Sequence, residues 1–173
     1  TNASVASTLY EQASAWASCP FADGRLPESL WDLYCGVGGF ALAAARAGFP
    51  RVTGVEVSSG AISSAISAAR HAGLSRSAAT FIAEDATTWA RAQSPEDMPD
   101  VIVVNPPRRG IGADLATYLN ECDAPRVIYS SCNPVTLATD LAAMPSLRPV
   151  EGRLFDMFPH TTHAEVALLL EHA

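Results

Sequence analysis

With 173 residues, 49% of them apolar, the chain has enough hydrophobic surface for one core and too little length for two. No apolar run approaches the roughly 20 residues of a membrane-spanning helix and the first residues lack a secretory signal, so a cytoplasmic, monomeric, single-domain protein that makes no membrane contact is expected. The formal charge is −7 and every one of the eleven basic residues is an arginine, a weak basis for gripping a phosphate backbone.

Residues 4 to 17 have the apolar spacing of a helix, with Leu9, Ala13 and Trp16 on one side. A loop from Pro20 to Pro27 follows, and the chain then alternates. Strands are predicted at 30–34, 52–57, 80–85, 100–104 and 126–131, with helices near 39–47, 60–72, 113–121 and 134–143. Strand and helix in turn imply a parallel sheet with helices on both faces. RLFDMF at 153–158, a short polar loop and VALLL at 166–170 break the rhythm. Strands joined so briefly must be antiparallel, because a parallel crossover needs a dozen or more residues. The expected architecture is therefore α/β, a Rossmann-like, doubly wound, mostly parallel sheet that ends in an antiparallel hairpin.

In such sheets ligands bind beyond the carboxyl ends of the strands. The first strand ends in the loop CGVGG, the second in Glu56, the third in Asp85, the fourth in NPPRRG at 105–110, and the fifth in Ser131, Cys132 and Asn133. The 159–165 loop brings His160, His163 and Glu165 to the same rim. Gly36, Gly38 and Gly39 allow tight turning and close approach of an anionic group to a helix start. Gly36, Gly38 and Ala41, with Glu56 twenty residues on, suit the ribose and backbone of either a nicotinamide dinucleotide or S-adenosylmethionine. The paired prolines of NPPRRG fix an extended platform with Asn105 and Arg108 over the site, an element for which a dehydrogenase has no evident need.

Cys132 points to a particular chemistry. Carbon 5 of uracil becomes nucleophilic once a thiolate has added at carbon 6, and a base must later remove the carbon 5 proton so that the thiol can leave. Cys132 and Glu165 are the pair that the topology places together for this. The plain alternatives are a strand-end cysteine buried for packing and, on spacing alone, a solvated Glu165. His160 and His163 have no third partner that would make a metal site, and Cys19, Cys35 and Cys122 have neither zinc nor disulfide spacing, so no metal is expected.

NPPRRG at 105–110, VIYSSCNPVT at 127–136 and DMFPHTTHAE at 156–165, together with DLYCGVGGF at 32–40, resemble the RNA uridine-carbon-5 methyltransferases, above all the branch that acts on 23S ribosomal RNA. The resemblance covers essentially the whole chain. It implies a class I methyltransferase domain over residues 1–173, with S-adenosyl-L-methionine as cofactor and RNA as substrate. It also implies Cys132 as nucleophile and Glu165 as base, with Asp32, Tyr34, Gly36, Gly38, Glu56, Asp85 and Asn105 at the cofactor and Arg108 and His160 at the substrate. Most relatives carry Asp where this chain has Asn105, although the ribosomal branch also uses Asn, and a large residue usually stands where Ala164 is. Family members also have amino-terminal RNA-binding parts that this chain lacks, which would reconcile an RNA substrate with the acidic charge. The rivals are a cytosine-carbon-5 methyltransferase, which would need a second cysteine absent from NPPRRG, a nicotinamide-dependent oxidoreductase, and a catalytically silent RNA-binding domain.

Overall fold

A computed structural model describes residues 3–156 and 164–172. The elements are α1 (Ala3–Ser18), β1 (Ser29–Leu33), α2 (Gly39–Arg46), β2 (Arg51–Glu56), α3 (Ser59–His71), β3 (Ala79–Ala83) and α4 (Ala86–Ala92). They continue with β4 (Val101–Val104), α5 (Gly112–Glu121), β5 (Arg126–Ser131), α6 (Pro134–Ala142), β6 (Leu147–Phe155) and β7 (Glu165–His172). The seven strands form one sheet in the order β3-β2-β1-β4-β5-β7-β6. The first five are parallel, and β7 runs antiparallel between β5 and β6. This is the Rossmann-like arrangement anticipated above.

Two apolar layers hold the sheet. Leu30, Val52, Val101, Val103, Ile128 and Leu169 face α1 and α2, where Leu9, Trp16, Phe40 and Phe49 complete the packing. On the other face Leu33, Val55, Ile102, Val104, Val127 and Tyr129 meet Trp89, Leu115, Leu119 and Leu137. The central strand β4 is buried on both faces, which is why VIVV reads as a continuous apolar run without alternation.

Arg126 anchors α1 at the opposite edge of the sheet from the glycine loop. Its guanidinium is buried and donates through Nη1 to the carbonyls of Trp16 (2.9 Å) and Cys19 (2.8 Å), at the end of the helix, while Nη2 reaches Glu171 Oε1 at 3.1 Å. The terminal carbonyls of α1, which have no partner within the helix, are thereby satisfied by a charged donor.

Two elements depart from the sequence reading. The strand expected at 153–158 begins at Leu147 and ends at Phe155. It lies at the sheet edge, carries Arg148, Glu151 and Arg153, and has a register shift between Pro149 and Glu151. Charge, proline and a bulge are what an unpaired edge uses against aggregation, and they erase the apolar alternation that would have revealed the strand. Helix α4 has only seven residues and was not anticipated. Among the described residues no helix is long and apolar enough to cross a membrane.

Candidate active site at the carboxyl edge of the sheet

The glycine loop joins β1 to α2. Helix α2 starts behind Gly38, which sits in the left-handed region (φ 88) and offers no side chain to cap the helix. Asp32, one turn of strand earlier, takes that role: its Oδ2 accepts from the Ala41 amide at 2.9 Å. The carboxyl is completely buried and its other oxygen, Oδ1, has no hydrogen-bond partner among the described residues. Burial lifts its pKa to about 7, with the Ala41 amide working in the opposite direction and the charge of Glu56 adding to the rise. Tyr34 has φ 64, a conformation that costs a bulky residue strain, and it turns the chain into Gly36 (φ 55).

Glu56, at the end of β2, reaches back to the loop. Its Oε2 accepts from the Gly36 amide at 3.3 Å and its Oε1 from Ser58 at 2.9 Å. Asp85 follows β3 and is exposed, but it is also the N-cap of α4, accepting from the Thr88 amide (2.8 Å) and hydroxyl (2.9 Å). Those hydrogen bonds hold its carboxyl below the ordinary range. The Tyr34 phenol, pushed up by burial, lies within reach of Thr87 and of the charges of Asp85, Arg109 and Asp140.

NPPRRG leaves β4 beside the fifth strand's loop. Asn105 is half-buried, while Arg108 and Arg109 are exposed. The two loops are joined directly: Asn133 Nδ2 donates to the Arg108 carbonyl at 2.9 Å, and the Thr136 hydroxyl donates to the same carbonyl at 3.2 Å. Beneath them, the buried Asp140 of α6 accepts through Oδ2 from the Tyr129 phenol (2.5 Å) and from the Ile111 amide (3.0 Å). Burial and the Asp140 carboxylate push the Tyr129 phenol well above its usual range.

Cys132 stands in the turn between β5 and α6. Ser131 Oγ accepts from the Asn133 amide at 3.0 Å and donates to the Asn133 carbonyl at 3.1 Å, so the residues on either side of the thiol clasp one another. Cys132 is partly exposed, which removes the reading of a sulfur sealed for packing. Cys35, by contrast, is buried and its thiol is pushed up by burial, consistent with a packing residue.

Glu165 is the first residue of β7 rather than part of the preceding loop, and it is only 6% exposed, so it is not the solvated residue that spacing alone suggests. Its Oε1 accepts from the buried Ser130 hydroxyl at 2.5 Å. Burial raises its carboxyl pKa and the Ser130 hydroxyl works against that rise. In the antiparallel register Ser131 pairs with Val166, so Cys132 comes directly after one member of this last pair and Glu165 directly before the other. Tyr10 of α1 completes this side. Its ring lies over Gly39, where an added Cβ would come within 2.6 Å of it, and its phenol is raised by burial and by the charges of Asp32 and Glu165.

The rim thus brings together Asp32, Tyr34, Gly36, Gly38, Glu56 and Asp85 around the glycine loop, and Asn105, Arg108, Cys132 and Glu165 around the fifth strand. His160 and His163 lie outside the described residues. Tyr10, Ser130 and Asp140 escaped the sequence reading. Asp140 carried a usable signal, an acid three residues after the apolar Leu137 on a helix face that turns inward. A groove of about 550 Å³ between α1 and α2 touches the site only at Tyr10 and Gly39, and one of about 450 Å³ lies beside Cys122 and His172; neither is lined by Cys132 or Glu165, so side-chain chemistry locates this site and cavity volume does not.

Residues 2–173 match the model of the tRNA (uracil-5-)-methyltransferase family. The chain is 48% identical over 170 residues to the 23S rRNA (uracil(747)-C(5))-methyltransferase RlmC of Shewanella amazonensis, covering 98% of this chain and 42% of that protein. It is 45% identical to the enzyme of the same description from Halothiobacillus neapolitanus, covering 98% and 43%. The chain therefore spans about two fifths of the length of these curated relatives. Among solved structures it is similar to the Pyrococcus abyssi tRNA (uracil-54, C5)-methyltransferase in complex with S-adenosyl-L-homocysteine, with a TM-score of 0.80, 30% identity, and coverage of 95% of this chain and 38% of that one.

Proposed function

The chain belongs to the tRNA (uracil-5-)-methyltransferase family, and from that premise we propose that it is the catalytic domain of an S-adenosylmethionine-dependent enzyme that methylates carbon 5 of a uridine in 23S rRNA. The higher identity to the ribosomal relatives than to the tRNA enzyme favours the ribosomal substrate. The single observation that supports the mechanism is that Cys132 directly follows Ser131, whose strand partner Val166 directly follows Glu165.

The residues around the glycine loop fit the cofactor. Asp32 presents a buried oxygen with no partner among the described residues, and Glu56 accepts from the Gly36 amide. Asp32, Tyr34, Gly36, Gly38, Glu56, Asp85 and Asn105 would hold S-adenosylmethionine, with Asp85 keeping its helix-capping bonds. Bound there, it supplies an electrophilic methyl group.

The Cys132 thiolate adds to carbon 6 of the uracil, and the electron pair displaced from the ring double bond makes carbon 5 nucleophilic. After carbon 5 has been methylated, Glu165 takes its proton, the ring double bond re-forms, and the thiolate leaves carbon 6. Arg108 and His160 contact the RNA, whose main grip belongs to parts of the protein outside this chain. The enzyme works as a monomer in the cytoplasm.

Covalent trapping tests the reading. A 23S rRNA fragment with 5-fluorouridine at the target and S-adenosylmethionine should give an adduct that survives denaturation, and Cys132→Ala should give none. An adduct of undiminished yield in Cys132→Ala would sink the assignment.

A further inference from the structure

Ser130 has no place in the chemistry just described, yet its hydroxyl is completely buried and is spent on a single side chain. It stands on β5 two residues before Cys132 and faces the α1 side of the sheet, as Glu165 does. Resting on the assignment of Glu165 as base, we infer that Ser130 is a positioning residue that holds Glu165 Oε1 by its hydroxyl and so presents the other carboxylate oxygen, ionised, to the carbon 5 proton.

Three observations converge on this. The contact is 2.5 Å, the length of a hydroxyl donating to an ionised acceptor. Both groups are buried, so water does not stand in for the hydroxyl. The diagonal between Ser130 and Glu165 is set by the pairing of Ser130 with Ala167 and of Ser131 with Val166, so the rigid sheet fixes the geometry, not a loop.

The surroundings explain why a donor is needed. Among the described residues, the groups recorded around the carboxylate are the Ser130 hydroxyl from β5 and, from α1, the Tyr10 phenol, which the Glu165 charge reaches; its partner on β6 is the apolar Phe155. None of these brings a positive charge. Burial among them favours the protonated acid, which is useless as a base, and a hydroxyl directed at Oε1 works against that rise in favour of the ionised form. When the proton arrives on Oε2, Oε1 remains a carbonyl acceptor, so the Ser130 bond persists through the step and the carboxyl does not turn away.

The test reads the base step alone. Full-length enzyme is mixed with a 23S rRNA hairpin carrying the target uridine and S-adenosylmethionine between pH 6 and pH 9, quenched in denaturant, and scored for methylated RNA still bound to protein. At low pH a protonated base leaves the methylated adduct unresolved. In Ser130→Ala the pH below which the adduct accumulates should rise by about one unit, the loss of one charge-assisted hydrogen bond. Ser130→Thr should keep the parent profile and Ser130→Cys, a weaker donor, should fall between, so the series decides the matter even if the alanine variant does not fold. A uniform loss of rate with no shift, or a parent profile in Ser130→Ala, overturns the inference. Glu165→Gln is the control for the underlying assignment: it should accumulate adduct at every pH, and fast turnover there would remove the base itself and not only its helper.

Discussion

Cys132 follows Ser131, the last paired residue of β5, and Glu165 opens β7 just before Val166, so the Ser131–Val166 pairing brings the two residues to the same end of neighbouring strands. On the proposed mechanism the base stands on a strand and the nucleophile one residue beyond its neighbour, so the sheet fixes the position of Glu165 while the β5–α6 turn carries Cys132. Glu165→Gln should therefore leave thiol addition intact and slow release by about 10²- to 10⁴-fold, the usual range for a general base. Single-turnover kinetics with natural-uridine RNA checks this, and an unchanged release rate would contradict it.

Asp32 makes stability depend on pH in an unusual direction. Its carboxyl titrates at about 7 in the fold, well above the ordinary value of 3.8. Across that interval the folded protein holds a proton that the unfolded chain has lost, so this group's contribution is fully present at low pH and declines as pH rises towards 7. Asp32→Asn should relieve a penalty on the order of a few kcal/mol above pH 7 and much less at pH 5. It should also weaken binding of S-adenosylhomocysteine. Thermal unfolding at pH 5 and pH 8 with calorimetry of the ligand provides the check; an equal gain at both pH values would refute it.

The Asp140 clamp predicts coupled losses. Tyr129→Phe removes one of the two donors, the Tyr129 phenol and the Ile111 amide, that reach the buried carboxyl, and should cost about 1–3 kcal/mol. Gly110→Ala combines a left-handed φ of 83 with a Cβ that runs into the Asp140 carboxyl. Since Asp140 also secures Ile111 behind NPPRRG, both variants should lower kcat by about ten- to a hundredfold through misplaced loops. Chemical denaturation paired with a methylation assay measures the two effects, and loss of stability at full kcat would dissociate clamp from site.

Arg126→Ala should destabilise the domain by about 3 kcal/mol, because the carbonyls of Trp16 and Cys19 lose a charged donor in a buried setting. Arg126→Lys should recover only part of this, since one ammonium lacks the fork that spans α1 and Glu171. Urea unfolding would show it; a variant as stable as the parent would mean that water replaces the guanidinium.

The parallel half of the fold was legible because buried strands such as VIVV, and the VIY stretch of β5, are short apolar runs between helical periods. The rim was legible because chemistry in such sheets follows the strand ends, which picked out Asp85, Asn105 and Cys132. What stayed hidden depends on register. That Ser130 meets Glu165 follows only from which residue of β7 faces which residue of β5, and β6 was misplaced because an edge strand suppresses the pattern that betrays it. Tyr10 was hidden for a different reason: it lies on α1, far from any strand end in sequence, and reaches the rim only through helix packing.

The insertion of β7 between β5 and β6 has a consequence for biosynthesis. Of these seven strands β7 is the last to be translated, so in a polypeptide stalled before residue 165 β6 has no neighbour on which to dock and, on the proposed mechanism, Cys132 is present without Glu165. RNA adducts trapped on stalled chains should therefore begin to release methylated product only after residues 165–172 have emerged.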